Sequence, residues 1–146
     1  MKVLVQRSKQ SSVKVNNKLV NSIEHGLVLL VGFTEGDTIK DIEKLAKKVV
    51  NLRIFDDEAG IMNKSILDVG GEILSISQFT LYANTAKGNR PSYIEALNGE
   101  EASKLYERFN EELNKYIMTK PGIFGADMEI LITNDGPITI MLESRS

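Results

Sequence analysis

The chain has 146 residues, of which 42% are hydrophobic and 26% charged, so it is long enough to bury the core of one soluble globular domain. It contains no cysteine, which excludes disulfide bonds, thiolate zinc sites and cysteine nucleophiles. Proteins that bind many phosphates usually carry a basic face, and the formal net charge here is −2, so we expect any nucleic-acid partner to be contacted over a small area.

Four strands are predicted in the first part of the chain, at positions 2–8, 12–15, 18–23 and 27–33. The first strand alternates in polarity and places Arg7 on the same face as Val3 and Val5. Asn16 and Asn17 are typical of the turn between the second and third strands. The fourth strand, LVLLVGF, is apolar throughout, which is typical of a strand covered on both faces.

An amphipathic helix is predicted next, and Thr38 with Asp41 resembles a capping box at its start. Apolar residues recur at helical spacing at Ile39, Ile42, Leu45, Val49 and Leu52. Four lysines fall mostly on the opposite side, at Lys40, Lys44, Lys47 and Lys48. A solvated helix face is the favoured interpretation of these lysines, and an RNA-facing patch is the alternative.

The middle of the chain predicts a short strand at 52–55 and a long central strand at 72–82. A loop follows, in which Pro91 suits the first turn of a short helix. A second long helix is predicted at 100–118, ended by the Lys-Pro-Gly sequence that follows it. Together the elements predict a single α/β domain over residues 1–146, in which a mixed, mainly antiparallel and barrel-like sheet packs against two long helices.

The last two predicted strands, at 128–133 and 138–142, bracket the sequence NDGP. Asp-Gly between β-branched runs favours a tight hairpin, but Pro137 has no N–H to offer the returning strand. A trans Gly136–Pro137 bond predicts a hairpin whose second strand starts late. A cis bond predicts a sharper turn that presents its carbonyl groups outward, although cis bonds are the less frequent form.

Polar side chains interrupt the long apolar strand at SQFT, residues 77–80. In a strand, Ser77 and Phe79 share one face while Gln78 and Thr80 share the other. These residues either line a small polar pocket at the end of the strand or form an ordinary polar face.

The loop GIFGADM, residues 122–128, is a second candidate site. It is either a plain connector or a loop that stacks a base on Phe124 while Gly125 lets backbone approach a ligand. The single histidine, His25, is predicted to lie in a turn, so a Ser-His-Asp mechanism is not expected.

Eight segments of the chain, taken in order, resemble the D-aminoacyl-tRNA deacylase family, also described as D-tyrosyl-tRNA(Tyr) deacylases. They are VQR (5–7), NLRIF (51–55), MN (62–63), LDVGG (67–71), SQFTLY (77–82), KGNRPS (87–92), FGADM (124–128) and NDGP (134–137). No segment is specific by itself, but the ordered set covers essentially the whole chain.

The resemblance implies a cytoplasmic enzyme, without cofactor or metal, that hydrolyses the ester between a D-amino acid and the 3′-terminal adenosine of tRNA. It implies a homodimer in which a cis Gly136–Pro137 bond reaches into the partner subunit's active site. Rigid backbone carbonyls there bind the substrate ammonium and reject an L side chain by collision. Glycine has no side chain to reject, so we expect some cleavage of glycyl-tRNA.

Arg7 is the candidate for fixing this turn, because a guanidinium among apolar neighbours needs acceptors, which turn carbonyls would supply. A surface charge on an edge strand is the alternative interpretation of Arg7.

The resemblance places catalysis at Ser77, Gln78, Phe79 and Thr80. Backbone N–H groups around Phe79 and Thr80 are candidates for stabilising the oxyanion. Attack by water, assisted by the ribose 2′-hydroxyl, is favoured over a covalent threonine nucleophile, because the sequence offers no base beside Thr80.

Phe124, Gly125 and Met128 are implied to hold the terminal adenosine, with the ring or the thioether against the base. Two other classes of function stay open: an RNA-end binding module without catalysis, and a small-molecule hydrolase with its pocket at a subunit interface. A membrane is not expected as a partner, because the chain lacks a signal peptide and a membrane-spanning run. DNA is not expected as a partner either.

Overall fold

The computed structural model describes residues 1–145 and contains short strands interspersed with helices. In chain order the elements are β1 (Lys2–Ser8), β2 (Ser11–Val15), β3 (Lys18–Ile23), β4 (Gly26–Gly32), α1 (Ile39–Asn51), β5 (Phe55–Asp56), β6 (Met62–Lys64), α2 (Ile66–Val69), β7 (Glu72–Ser77), a 3-10 turn (Phe79–Tyr82), α3 (Gly99–Asn114), β8 (Thr119–Pro121), β9 (Glu129–Leu131) and β10 (Asn134–Glu143).

The main sheet has five strands in the order β10-β1-β4-β7-β8. Strands β4, β7 and β8 run parallel, whereas β1 is antiparallel to both of its neighbours. A second sheet has the order β3-β2-β9, and β5 pairs only with β6. The sheet is therefore mixed, as predicted, but these strands do not close into a barrel within residues 1–145, so the barrel-like expectation is wrong.

Two apolar clusters lie on opposite faces of the central strands. Leu27 and Leu29 of β4 belong to the cluster that includes buried residues of α1 and α3. Val28, on the other face, packs with Leu74 and with residues of the second sheet. Because β4 is covered on both sides, its uninterrupted apolar sequence is explained, and that prediction is confirmed.

Helix α1 begins as its sequence predicts. The Thr38 side chain accepts a hydrogen bond from a first-turn N–H, and the Asp41 carboxylate accepts one from the Thr38 N–H at 2.8 Å. The buried stripe is narrower than predicted, because Ile39 is 47% exposed at the first position and Leu52 caps the helix from outside it.

Three predicted elements end in other places. The strand that was expected to reach residue 82 stops at Ser77, and the chain continues as a 3-10 turn. Helix α3 ends at Asn114, because the Asn114 side chain bonds both the N–H and the carbonyl of Thr119 and turns the chain into β8. The predicted strand at 52–55 is displaced to Phe55–Asp56, and Pro91 opens no helix.

Of the two alternatives for NDGP, the hairpin with a trans bond is wrong. Strand β9 pairs with β2 and β10 pairs with β1, so the two strands lie in different sheets. Gln6 lies opposite Thr139 and Ser8 opposite Asn134, which leaves residues 135–138 to bulge out of the ladder opposite Arg7. Pro137 therefore sits where no ladder N–H is required.

Within residues 1–145, no helix combines the length and apolar character that crossing a membrane demands.

Candidate active site

A cavity opens at the carboxyl ends of two parallel strands. Val31 of β4 lies opposite Ser77 of β7, so the two strands end at the same edge of the sheet. Ligand sites in sheets with parallel strands commonly lie at this edge. The cavity has a volume of about 560 Å³ and is lined by strand ends, by the 3-10 turn and by the loop before β9.

The 3-10 turn forms one wall of the cavity. The Gln78 N–H donates the last bond of the ladder to the Val31 carbonyl, at 2.7 Å, and the turn begins at the next residue. The N–H groups of Phe79 and Thr80 come first in the turn, where no preceding turn supplies acceptors. Within residues 1–145 neither N–H has a hydrogen-bond acceptor, so both remain available to a ligand.

The turn also changes the predicted arrangement of the side chains, because these residues do not alternate as a strand. Ser77, Gln78 and Phe79 line the cavity, and Phe79 is 56% exposed. Thr80 does not line the cavity; its hydroxyl accepts a hydrogen bond from the Gln78 amide at 2.5 Å.

No histidine can serve as a base for Thr80. His25 is exposed and precedes β4, and its carbonyl accepts a hydrogen bond from the Glu72 N–H at the start of β7. The seven residues of β4 separate it from the cavity by about 20 Å. The turn histidine predicted from the sequence is thus at the far end of both strands.

A second wall comes from the loop before β9, where Phe124, Gly125 and Met128 all line the cavity. Gly125 has φ +78°, and a Cβ there would meet nothing within 4 Å, so the backbone conformation rather than space favours glycine. The structure thus brings together the residues at 77–79 and this loop, which lie far apart in sequence.

Tyr106 supports this loop from inside the core. Its ring lies 5.9 Å from the Phe124 ring, and its hydroxyl donates to the Ser75 carbonyl at 2.6 Å. Burial raises the pKa of Tyr106, which keeps the hydroxyl protonated as a donor.

Sequence reasoning missed Tyr93 and Asp127 as cavity residues. The Tyr93 ring meets the Phe79 ring edge to face, with centroids 5.0 Å apart. The only sequence feature that pointed to Tyr93 was an aromatic residue directly after a polar loop, and Asp127 lay within a segment already singled out.

Arg7, Gly136 and Pro137 do not line the cavity within residues 1–145 and form a separate cluster. The Gly136–Pro137 bond is cis, as the resemblance implied. Both residues are exposed at the tip of the bulge in β10. The Asn134 amide supports the bulge by donating to the carbonyls of Arg7 and Ile138, at 3.0 and 3.1 Å.

Arg7 is largely buried, with 11% of its side chain exposed. Its Nη1 donates to the Ile54 carbonyl at 2.8 Å, and its Nε lies 3.2 Å from a carboxylate oxygen of Asp135. The expected acceptors were turn carbonyls, so that detail is wrong: the turn is held through Asp135, while the carbonyl comes from the segment before β5. The edge-strand alternative is also wrong, because β1 lies between β10 and β4.

In the part of the chain that the structure describes, no three His, Cys, Asp or Glu side chains are grouped so that they could hold a metal ion.

Comparison with known proteins gives one consistent family. The model of a family described as D-Tyr-tRNA(Tyr) deacylase matches residues 4–143. The D-aminoacyl-tRNA deacylase of Clostridium tetani is 56% identical over 99% of this chain and 98% of its own length. That of Geobacillus sp. (strain WCH70) is 53% identical, over 99% and 96% respectively.

Two solved structures have the same fold. One, described as c-Myc DNA Unwinding Element Binding Protein, superposes with a TM-score of 0.95 at 42% identity and covers all of both chains. The other, described as a probable eukaryotic D-amino acid tRNA deacylase, has a TM-score of 0.81 at 18% identity over 97% of both chains.

Proposed function

The chain belongs to the D-Tyr-tRNA(Tyr) deacylase family and is an ester hydrolase, and we propose that it cleaves the ester between a D-amino acid and the 3′-terminal adenosine of tRNA. The observation that carries this proposal is the cavity at the ends of β4 and β7, which is lined both by Phe79, whose N–H is unbonded, and by an aromatic, glycine-bearing loop. Its volume of about 560 Å³ suits an aminoacylated nucleoside, since small-ligand sites span about 300–1,000 Å³.

The loop wall binds the adenosine. Phe124 offers an aromatic face and Met128 a polarizable thioether, and both suit a purine base. Gly125 keeps this part of the wall free of side chain. The contact between Phe124 and Tyr106 holds the aromatic ring in place.

The turn wall carries the chemistry. The unbonded N–H of Phe79, a residue that lines the cavity, stabilises the oxyanion that forms when water attacks the ester carbonyl. The substrate's own ribose 2′-hydroxyl assists proton movement, because the described residues place no histidine near the cavity. An aminoacyl ester is activated by its α-ammonium group, so it needs no strong protein nucleophile.

The bulge at Gly136–Pro137 acts as the chirality filter, inserted into the cavity of a second copy across a two-fold axis. Within one chain these residues lie outside the cavity, so a second copy is needed to bring them to the substrate. Their backbone is exposed but held by Asn134 and Asp135, as a rigid filter requires. Backbone atoms exclude an L side chain without reading its identity, and achiral glycyl-tRNA passes the filter.

The test is deacylation of matched D- and L-forms of one aminoacyl-tRNA by the purified protein. We expect the D-form to be cleaved and the L-form to decay at its uncatalysed rate. Binding of tRNA without turnover would contradict the proposal in favour of an RNA-end binding module. Equally fast cleavage of D-amino acid esters that lack adenosine would contradict it in favour of a small-molecule hydrolase.

A further inference from the structure

The segment 84–92 forms a closed loop directly before Tyr93, a residue that lines the cavity. Asn84 and Ser92 exchange two backbone hydrogen bonds of 2.8 Å each, and the Asn84 side chain accepts a further bond from the Ala86 N–H. All residues from 84 to 92 are exposed. The next residue, Tyr93, lines the cavity, so the base of this loop is fixed beside the entrance.

The loop carries two basic side chains that form no ion pair or hydrogen bond with the rest of the described chain. Lys87 and Arg90 are exposed, and within residues 1–145 neither has an ion-pair or side-chain hydrogen-bond partner. Arg90 is three residues from Tyr93, so their Cα atoms are at most about 11 Å apart. The cavity lining contains no lysine or arginine among the described residues, and its one carboxylate is Asp127.

An aminoacylated adenosine in the cavity is the end of a single RNA strand. The preceding nucleotides of that strand, with their phosphates, must therefore extend out of the cavity opening. Basic side chains with an exposed aromatic ring between them and the pocket are the usual surface for such a strand. Tyr93 is 42% exposed and meets Phe79 edge to face, which leaves part of its ring open to a base.

We propose that the loop 84–92 binds the single-stranded 3′ end of the tRNA, with Lys87 and Arg90 on the phosphates before the terminal adenosine and Tyr93 against the adjacent base. This inference rests on the proposed function and adds the surface that recognises the RNA. A small number of phosphate contacts is consistent with a chain of net charge −2.

The lysines of α1 are the competing surface. Lys44 is already used, because its Nζ donates to the Ser144 carbonyl at 2.7 Å. Lys47 and Lys48 are exposed and do not line the cavity, so they provide a matched pair of charges at another site.

The experiment measures the affinity of uncharged tRNA by fluorescence anisotropy across a range of salt concentrations. It compares wild type, Lys87→Ala with Arg90→Ala, and the control pair Lys47→Ala with Lys48→Ala. Each lost contact to single-stranded RNA lowers the steepness of the log–log salt dependence by about 0.7, so the loop variant should lose about 1.4. If both proteins bind tRNA equally at 1 M salt, a slope lower by about 1.4 means that the loop variant binds tRNA about 25-fold more weakly than wild type at 0.1 M salt. The control pair should match wild type.

A second measurement separates this inference from the proposed function. D-aminoacyl-adenosine has no preceding phosphates, so the loop variant should cleave it as fast as wild type does. An unchanged tRNA affinity in the loop variant, or an equal loss in the control pair, would overturn the inference even if the wild type cleaves D-aminoacyl-tRNA. Failure of wild type to cleave either substrate would instead overturn the proposed function.

Discussion

The Thr80 hydroxyl accepts a hydrogen bond from Gln78 and lies outside the cavity lining, which is a poor position for a nucleophile. We expect Thr80→Ala to lose at most about tenfold in kcat, because one hydrogen bond contributes about 0.5–1.5 kcal/mol. Single-turnover deacylation of D-aminoacyl-tRNA measures this loss. Thr80→Ser is the control, since it keeps the hydroxyl. Activity that survives only in Thr80→Ser, with an acyl group trapped on Thr80 in the wild type, would establish a covalent mechanism.

The proposed binding of adenosine by the loop before β9 can be tested at Phe124. We expect Phe124→Ala to raise KM for D-aminoacyl-tRNA by about 5- to 150-fold, which corresponds to the usual base-stacking contribution of about 1–3 kcal/mol, with kcat little changed. Tyr106→Phe is the matched control, because it removes the hydroxyl behind Phe124 but keeps both rings. Hydrolysis of a D-amino acid ester without adenosine should not respond to Phe124→Ala. An equal loss on both esters would show that Phe124 supports the fold of the site instead.

The Asp41 carboxylate at the start of α1 is expected to make the free energy of unfolding depend on pH. Burial alone would raise the pKa of Asp41, but hydrogen bonds from the Thr38 N–H and Ser144 and the nearby Arg145 charge lower it below 3.8. Because the pKa of Asp41 is lower in the folded state than in the unfolded state, ionised Asp41 stabilises the folded protein. This stabilisation is complete at pH values above the unfolded-state pKa and is lost as the pH falls through the folded-state pKa.

Asp41→Asn should therefore lower the free energy of unfolding at pH 7 by about 1 kcal/mol, the usual value of a helix cap with its favourable charge. Denaturant unfolding at pH 7 and at stepwise lower pH measures the difference from wild type. The difference should shrink once the pH falls below about 4. A difference of constant size down to pH 3 would show that the carboxylate charge contributes nothing.

A substitution in the β10 bulge is expected to change the selectivity for D- over L-aminoacyl-tRNA. Gly136 has φ +121°, and a Cβ there would lie 2.7 Å from Ile138 Cγ1 and 3.0 Å from its backbone nitrogen. Gly136→Ala must therefore displace the bulge. We expect L-aminoacyl-tRNA cleavage to rise while the D-form is cleaved more slowly, measured on matched substrates. Asp135→Ala is a second variant, which removes the ion pair to Arg7 without changing the Gly-Pro backbone. Full D-selectivity in a folded Gly136→Ala protein would place the filter elsewhere.

Local sequence features predicted the elements that local forces stabilise. The Thr38–Asp41 capping box, the Asn16–Asn17 turn and the doubly buried β4 all appear as expected. The errors concern features that depend on distant partners. Asp-Gly favours a hairpin locally, yet β9 and β10 pair with β2 and β1, which lie more than a hundred residues away in sequence.

The candidate site shows the same division. The residues at 77–79 and at 124–128 were named separately, but only the fold brings them together around one cavity. The strand ends at Ser77, where the Gln78 N–H makes a last ladder bond to Val31 of β4, and no local pattern in the sequence marks this end. Tyr93 was missed because an aromatic residue after a polar loop has no periodicity to mark it.

At the scale of the whole molecule, the cavity and the bulge at Gly136–Pro137 are separate features of one chain. The bulge belongs to β10, which is an edge strand of the main sheet, and Met141 on that strand is 45% exposed. Unpaired edges and exposed apolar side chains favour contact with another chain. A two-fold arrangement that inserts each bulge into the other copy's cavity would form two equivalent sites per dimer.

Mixed dimers test this arrangement directly. One variant, Ala126→Trp, fills the cavity with a large side chain and should be inactive, because Ala126 lines it. The other, Gly136→Ala, keeps the cavity but carries the displaced bulge.

If the bulge acts in the partner's site, a dimer with one copy of each variant contains one intact cavity that faces one intact bulge. Two different affinity tags allow this mixed dimer to be purified, and it should cleave D-aminoacyl-tRNA with wild-type selectivity at about half the wild-type rate per dimer. A bulge that acts within its own chain would instead leave the intact cavity with the displaced bulge, so the mixed dimer would be as unselective as Gly136→Ala alone. Failure to recover any mixed dimer through both tags would contradict the two-fold assembly itself.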